Sequence, residues 1–216
     1  VSISGGIDSS VVSTLCALTK RKTIVLSMPI KQIKLQHDLS IEHGKWISNK
    51  YKNVQHKVLE LENLFSNFEK TLNEFNNEHG FANSRARLRM TTLYQAAAAN
   101  SGIVVGTGNK VEDFGVGFYT KYGDGGVDIS PIADCNKSEV WELGKYLGIN
   151  QKIIEAEPTD GLWNDGRSDT AQLGMSYVDL EKAMENKNDP NYQKYLKIRK
   201  KNLHKMEPIP VCKFNE

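Results

Sequence analysis

The sequence predicts the α/β class, with a doubly wound parallel sheet. Three observations carry that prediction. Short β-branched runs alternate with longer helical patterns, as in βαβ units. The first apolar run, residues 1–4, turns through two glycines straight into a helical pattern. The length of 216 residues suits one principal core, so a single domain over 1–216 is expected.

Strands are expected at residues 1–4, 23–28, 56–61 and 103–106, each rich in β-branched or apolar side chains. Helical periodicity fills 11–19 and 39–51. The stretch 64–102 must hold two helices, broken near Glu78-His79-Gly80. Residues 106–126 are Gly-rich and irregular, and 127–132 form a short fifth strand. Asn136 with Glu139 three residues on starts a helix over Lys137–Leu147, and Gly148 stops it. Residues 158–173 lack any period and are expected to form a long loop, and loops of that length are usually functional or disordered. Ser176 with Asp179 opens one more helix, and Asp189-Pro190 opens a last one, ending near Met206.

Lys and Arg total 28 against 26 Asp and Glu, a net charge of +2, which gives no basic field for nucleic acid. The apolar runs are far shorter than the ~20 residues of a membrane span. Three widely spaced cysteines, Cys16, Cys135 and Cys212, make neither a CxxC pair nor a disulfide framework, so a reducing cytoplasm is expected. Because the chain opens inside a strand, a preceding N-terminal segment is expected to be missing.

Ser4-Gly5-Gly6-Ile7-Asp8-Ser9 joins a strand to a helix N-terminus, which gathers backbone N–H groups and the positive end of the helix dipole. An oxyanion fits there without a lysine. Asp8 beside a phosphate is repulsive unless a cation lies between them, so Asp8 reads as a Mg²⁺ ligand. The alternative for an isolated Ser-Gly-Gly is a capped turn. Gly106-Thr107-Gly108-Asn109-Lys110-Val111-Glu112 follows a strand at the sheet edge where such folds hold ligands; Thr107 offers a hydroxyl, and Glu112 a second hard oxygen for Mg²⁺. The same residues would serve equally as turn caps.

Together these motifs resemble known ones. Ser4–Ser9 resembles the SGGxDS pyrophosphate loop of N-type ATP pyrophosphatases, and Lys121-Tyr122-Gly123-Asp124-Gly125-Gly126-Val127-Asp128 resembles the signature segment of the NAD synthetases. Ser84-Arg85-Ala86-Arg87-Leu88-Arg89-Met90 is similar to that family's arginine-bearing helix. The resemblance implies an adenine-nucleotide α-hydrolase-like, Rossmann-like fold. It also implies a ligase that joins ammonia to deamido-NAD with ATP, through an adenylated intermediate, releasing AMP and pyrophosphate. It assigns ATP to Ser2, Ile3, Ser4, Gly5, Gly6, Ile7, Asp8, Ser9, Thr107, Lys137 and Thr159, the last in a segment similar to the family's mobile loop over the active site, residues 158–173. Deamido-NAD is assigned to Arg87, Lys121, Asp124, Asp128, His204 and Lys205. Asp8 and Glu112 are the implied Mg²⁺ ligands and catalytic residues, in a homodimer. No glutaminase motif is read, so ammonia would be free or supplied by another chain. Two alternatives stay open: another ATP pyrophosphatase such as a GMP synthetase, and a nucleotide-binding module without turnover.

Overall fold

The computed structural model describes residues 1–163 and 165–214. Its helices are α1 (Ile7–Leu18), α2 (Lys34–Lys50), α3 (Glu62–Thr71), α4 (Glu78–Ala98), α5 (Lys137–Leu147), α6 (Gln151–Glu155), α7 (Asp169–Leu173), α8 (Tyr177–Glu185) and α9 (Tyr192–Met206). Strands β1 (Thr23–Ser27) and β2 (Val54–Val58) pair in parallel, with Thr23 opposite Val54 and Ser27 opposite Val58.

The α/β prediction holds, while its strands are shorter than expected. On the other edge of β1, Ser2 forms a parallel bridge with Leu26; the Ile3 N–H donates to Leu26 O at 2.9 Å, and the Leu26 N–H to Val1 O at 2.9 Å. Val105 and Ile129 make a second parallel bridge. Residues 1–4, 103–106 and 127–132 therefore contribute single bridges rather than ladders, because each turns toward the site after one or two paired residues. The strand expected at 56–61 lies two to three residues earlier.

Successive side chains of β1 point to opposite faces, and both faces are covered. Val25 packs with Ile47 of α2 and Ala17 of α1, whereas Leu26 packs with Phe65 of α3 and Met90 and Leu93 of α4. This double covering is what a doubly wound sheet requires. A further cluster under α5 and α6 joins Val11, Val12, Val140 and Ile153; another joins Leu173, Leu180 and Tyr195 near the C-terminus.

Local signals placed the ends of α4 and α5 well, whereas α2 starts five residues earlier than expected and α7 falls inside the expected loop 158–173, where Ser168 caps it by accepting the Ala171 N–H. Asn77 caps α4 by accepting from the Gly80 N–H at 2.7 Å, so Glu78-His79-Gly80 starts that helix and the break lies just before it. Glu139 Oε2 accepts the Asn136 N–H at 2.7 Å, and Gly148 closes α5 in the left-handed region at φ 72°. Helix α1 begins earlier than expected, at Ile7, so Asp8 and Ser9 sit in its first turn.

Phe65 is fully buried and meets the rings of Phe68 and Phe81 at 6.1 and 6.3 Å. Phe65→Ala is expected to lower unfolding free energy in urea by about 3–5 kcal/mol, the usual cost of a buried aromatic and its cavity. A loss below about 1 kcal/mol would mean that α3 does not hold this face together.

Candidate active site

The carboxyl ends of residues 1–3, β1 and the Val105 bridge open into one cleft of about 420 Å³. Ligands lie there in open α/β sheets. Ser2, Ile3, Ser4, Gly5, Gly6, Ile7, Asp8 and Ser9 form one wall, with Thr107, Glu112, Asp124, Lys137 and Thr159 also lining the space. Residues assigned from distant motifs thus meet in one place.

The wall is built by backbone geometry. Gly5 has φ +92°, and a Cβ there would stand 2.4 Å from the Gln36 carbonyl oxygen, so only glycine lets the loop lie against α2. Ser4 N–H donates to Ser9 Oγ at 3.2 Å, and the two hydroxyls lie 3.1 Å apart, which fixes the loop on the first turn of α1. Ser10 turns away: it is buried and donates to Gly6 O at 2.9 Å.

Opposite stands a charge constellation. Lys137, 2% exposed, places Nζ 2.5 Å from Asp8 Oδ2 and 2.8 Å from Glu112 Oε1. Asn109 fastens the two acids together: its Nδ2 donates to Asp8 Oδ1 at 2.9 Å, while its Oδ1 accepts the Glu112 N–H at 3.0 Å. Glu112 rides on a π-helical turn, Lys110–Val116, whose start Asn109 caps. Gly108 is needed beside it, since a Cβ there would meet the Asp113 carboxylate at 1.8 Å.

Burial pushes Asp8 above the ordinary carboxylate range, Lys137 opposes it, and the nearby Glu112 charge adds to it. Burial also works against Glu112, yet Lys137 and the hydrogen bonds from Lys137 and Tyr177 hold it below its ordinary value. Lys137 is desolvated but kept charged by both acids, its pKa raised.

Beyond this set lie groups that the motifs did not reveal. The Tyr177 hydroxyl sits 2.5 Å from Glu112 Oε1 and 2.8 Å from Asp169 Oδ2. One phenol carries one proton, so it satisfies one acid while the other needs a proton of its own. Burial, then the Glu112 charge, lifts Asp169 to about 7, and a protonated Asp169 closes the chain. Asp113 also lines the cleft, pushed well above the ordinary range by burial and by Asp124, Glu112 and Asp8. Asp124, which the sequence had already marked, lies beside Asp113 in the lining and rises to about 6, chiefly through burial. Asn109 stood in the 106–112 segment without a role of its own, and Ser176 only marked the helix that carries Tyr177.

The arginines part company. Arg87 is exposed and donates from Nε to Lys121 O at 3.2 Å, outside the cleft lining. Arg89 lines the cleft, its Nε held by Met28 O at 2.9 Å, and burial beside Arg85 lowers its pKa to about 10. Lys121 Nζ donates to His204 O at 2.7 Å, and Lys205 Nζ to Gly117 O and Tyr119 O at 2.9 and 2.8 Å. Asp128 accepts from the Val104 N–H at 2.7 Å and the Tyr94 hydroxyl at 3.1 Å. Arg87, Lys121, His204, Lys205 and Asp128 therefore group around residues 117–128, beside the cleft rather than in it, with Asp124 reaching in. Thr159 lies in the cover of the cleft, residues 156–162; Asn164 of the expected mobile loop lies outside the described residues.

Among the described residues no group of three or more His, Cys, Asp or Glu side chains is placed to hold a metal, and no helix is long and apolar enough to cross a membrane. Two carboxylates without a cage fit Mg²⁺, which takes one or two acids and fills its shell from phosphates and water.

The chain is similar to several known proteins. It is 33% identical over 222 residues to the NH3-dependent NAD synthetase of Archaeoglobus fulgidus, covering 99% of this chain and 87% of that protein. The NMN synthetase of Francisella tularensis superposes with a TM-score of 0.89 at 29% identity, covering 99% of this chain and 88% of that one. The NH3-dependent NAD synthetase of Campylobacter jejuni gives 0.76 at 26%, covering 98% and 88%. The NAD synthase family model matches residues 1–212, and by that match and these relatives the chain belongs to the NAD synthase family.

Proposed function

We propose that this single domain is an ammonia-dependent NAD synthetase. A nicotinate carboxylate oxygen of deamido-NAD attacks the α-phosphorus of ATP, pyrophosphate leaves, and ammonia then forms the C–N bond of NAD as AMP departs. The observation that carries this reading is the cleft itself, where an oxyanion nest on α1 faces Lys137 held between Asp8 and Glu112. Family membership sets aside the GMP synthetase alternative.

Asp8 and Glu112 would hold Mg²⁺, which when bound neutralises charge on the leaving phosphates. The chain's own residues do the rest by position. Amides of the loop from Ser4 to Ser9 receive the pyrophosphate at the helix N-terminus, and Thr107, Lys137 and Thr159 hold ATP. Lys137 carries positive charge toward the phosphates without needing to be rebuilt for each turnover. Arg87, Lys121, Asp124, Asp128, His204 and Lys205 take deamido-NAD, with Arg89 added from the geometry. Of the expected loop 158–173, residues 158–163 would serve as the mobile cover that excludes water from the adenylate, whereas Asp169–Leu173 belong to α7, with Leu173 in the core. A cytoplasmic homodimer is the proposed working state.

Purified protein with ATP, Mg²⁺, deamido-NAD and ammonium is expected to form NAD and AMP in equal amounts. No NAD from ammonium or glutamine would overturn the reading. The mononucleotide acid is included as a competing substrate, because the similar Francisella tularensis protein is an NMN synthetase. Preferential amidation of the mononucleotide would keep the chemistry and change the substrate.

A further inference from the structure

Arg85 stands apart from the arginines that face substrate. It is 5% exposed, and its Nη1 donates to the backbone carbonyl of Leu162, in the cover of the cleft, at 2.9 Å. Its Nε has no partner among the described residues. The guanidinium lies 5.3 Å from the Phe65 ring centre. Of the three acids whose charge acts on it, Glu62 accepts the Lys31 N–H at 2.5 Å and Glu69 pairs with Lys31 Nζ at 2.5 Å, and among the described residues neither these nor Glu78 bonds to the guanidinium. Among the described residues this buried cation has a single hydrogen-bond acceptor, and that acceptor belongs to the cover.

A second contact joins the same two elements. Trp163 stacks on His79 of α4, ring centres 6.0 Å apart, and its Nε1 donates to Gln172 Oε1 at 2.9 Å and Asp160 Oδ2 at 3.2 Å. The Leu162 N–H donates to Asp160 Oδ1 at 3.0 Å, so Asp160 ties Leu162 and Trp163 together in a local turn. Ala156, Glu157, Pro158, Thr159, Asp160, Gly161 and Leu162 line the cleft beneath it.

We infer that Arg85, assisted by His79, latches the 156–163 cover onto α4 and thereby positions it over the reacting adenylate. The inference rests on the proposed reaction for its kinetic consequence, and on geometry alone for the latch. With the cover unlatched, water attacks the acyl carbon, its oxygen bonding there as the bond to AMP breaks. ATP is then spent without NAD.

Arg85→Met keeps an unbranched side chain beside Phe65 and removes the guanidinium that donates to Leu162 O. AMP is expected to exceed NAD severalfold in this variant, against equal amounts in the wild type, and Arg85→Lys should restore part of the coupling. Trypsin cleavage after Arg167, which adjoins the cover and shows 39% side-chain exposure, should quicken in the substrate-free variant, measured by mass spectrometry. His79→Ala changes an exposed residue and should shift both readouts in the same direction even if Arg85→Met fails to fold. Equal AMP and NAD with unchanged cleavage in a folded variant would overturn the latch. If the wild type makes no NAD, the reaction is wrong, and cleavage after Arg167 still decides the latch.

Discussion

Lys137→Met is expected to cost both stability and turnover. The ammonium is buried, 2.5 Å from Asp8 and 2.8 Å from Glu112, so its removal leaves two acids facing each other with no cation. Breaking a buried ion pair from one side typically costs about 3–5 kcal/mol. The pH dependence has a definite sign. Without Lys137 the attraction that holds Glu112 low, and opposes burial at Asp8, is gone, so both folded pKa values rise above their unfolded ones. The folded variant then binds more protons than the unfolded chain, and its stability falls as pH rises through that window. Urea melts should show a small deficit near pH 4 and the full deficit by about pH 8. Loss of a positioned charge at the phosphates should also reduce kcat/KM by about 10²–10³. A deficit that does not grow with pH would show that Lys137 does not neutralise the pair.

How far this site was legible in the sequence depends on what each residue needed from its neighbours. Gly5, Gly6, Asp8 and Ser9 sit within one turn, so their chemistry follows from local geometry and was readable. Thr107 and Glu112 were readable because they follow an apolar run at a sheet edge. Lys137 was identified only through resemblance; that its charge falls between Asp8 and Glu112 depends on an approach across 129 residues, which no spacing encodes. Tyr177 and Asp169 were missed for the same reason, since each looks like an ordinary residue at a helix start. The three arginines at 85, 87 and 89 show the limit of periodicity. Spacing puts Arg85 and Arg89 on one face, yet Arg89 enters the cleft, Arg85 meets the cover, and Arg87 reaches Lys121 O. The sheet was recognised correctly as a class and drawn too long, because 1–4, 103–106 and 127–132 carry strand composition but leave the sheet after a bridge to build the site.

Asp8→Asn is expected to separate function from stability in the opposite way. Asp8 lies in the first turn of α1 beside the nest, and its carboxylate is the proposed hard ligand there. Asparagine keeps the shape and can still meet Asn109, while Lys137 retains Glu112 as a partner. AMP formation should fall by about 10³ or more, because charge on the leaving phosphates loses its counter-charge in a dry site. Folding should not suffer. Burial, reinforced by Glu112, raises the folded pKa of Asp8 above its ordinary value, so the ionised side chain at neutral pH costs the wild type stability. The native state binds the extra proton, and stability therefore declines as pH rises from the ordinary carboxylate range upward. The variant lacks that decline. Its melting temperature should match or exceed the wild type near pH 7.5, with the difference shrinking as the pH falls toward about 4. Near wild-type AMP formation would end the assignment of Asp8 to the metal. A melting temperature well below the wild type would show instead that the carboxylate serves chiefly to hold Lys137 and Asn109 in place.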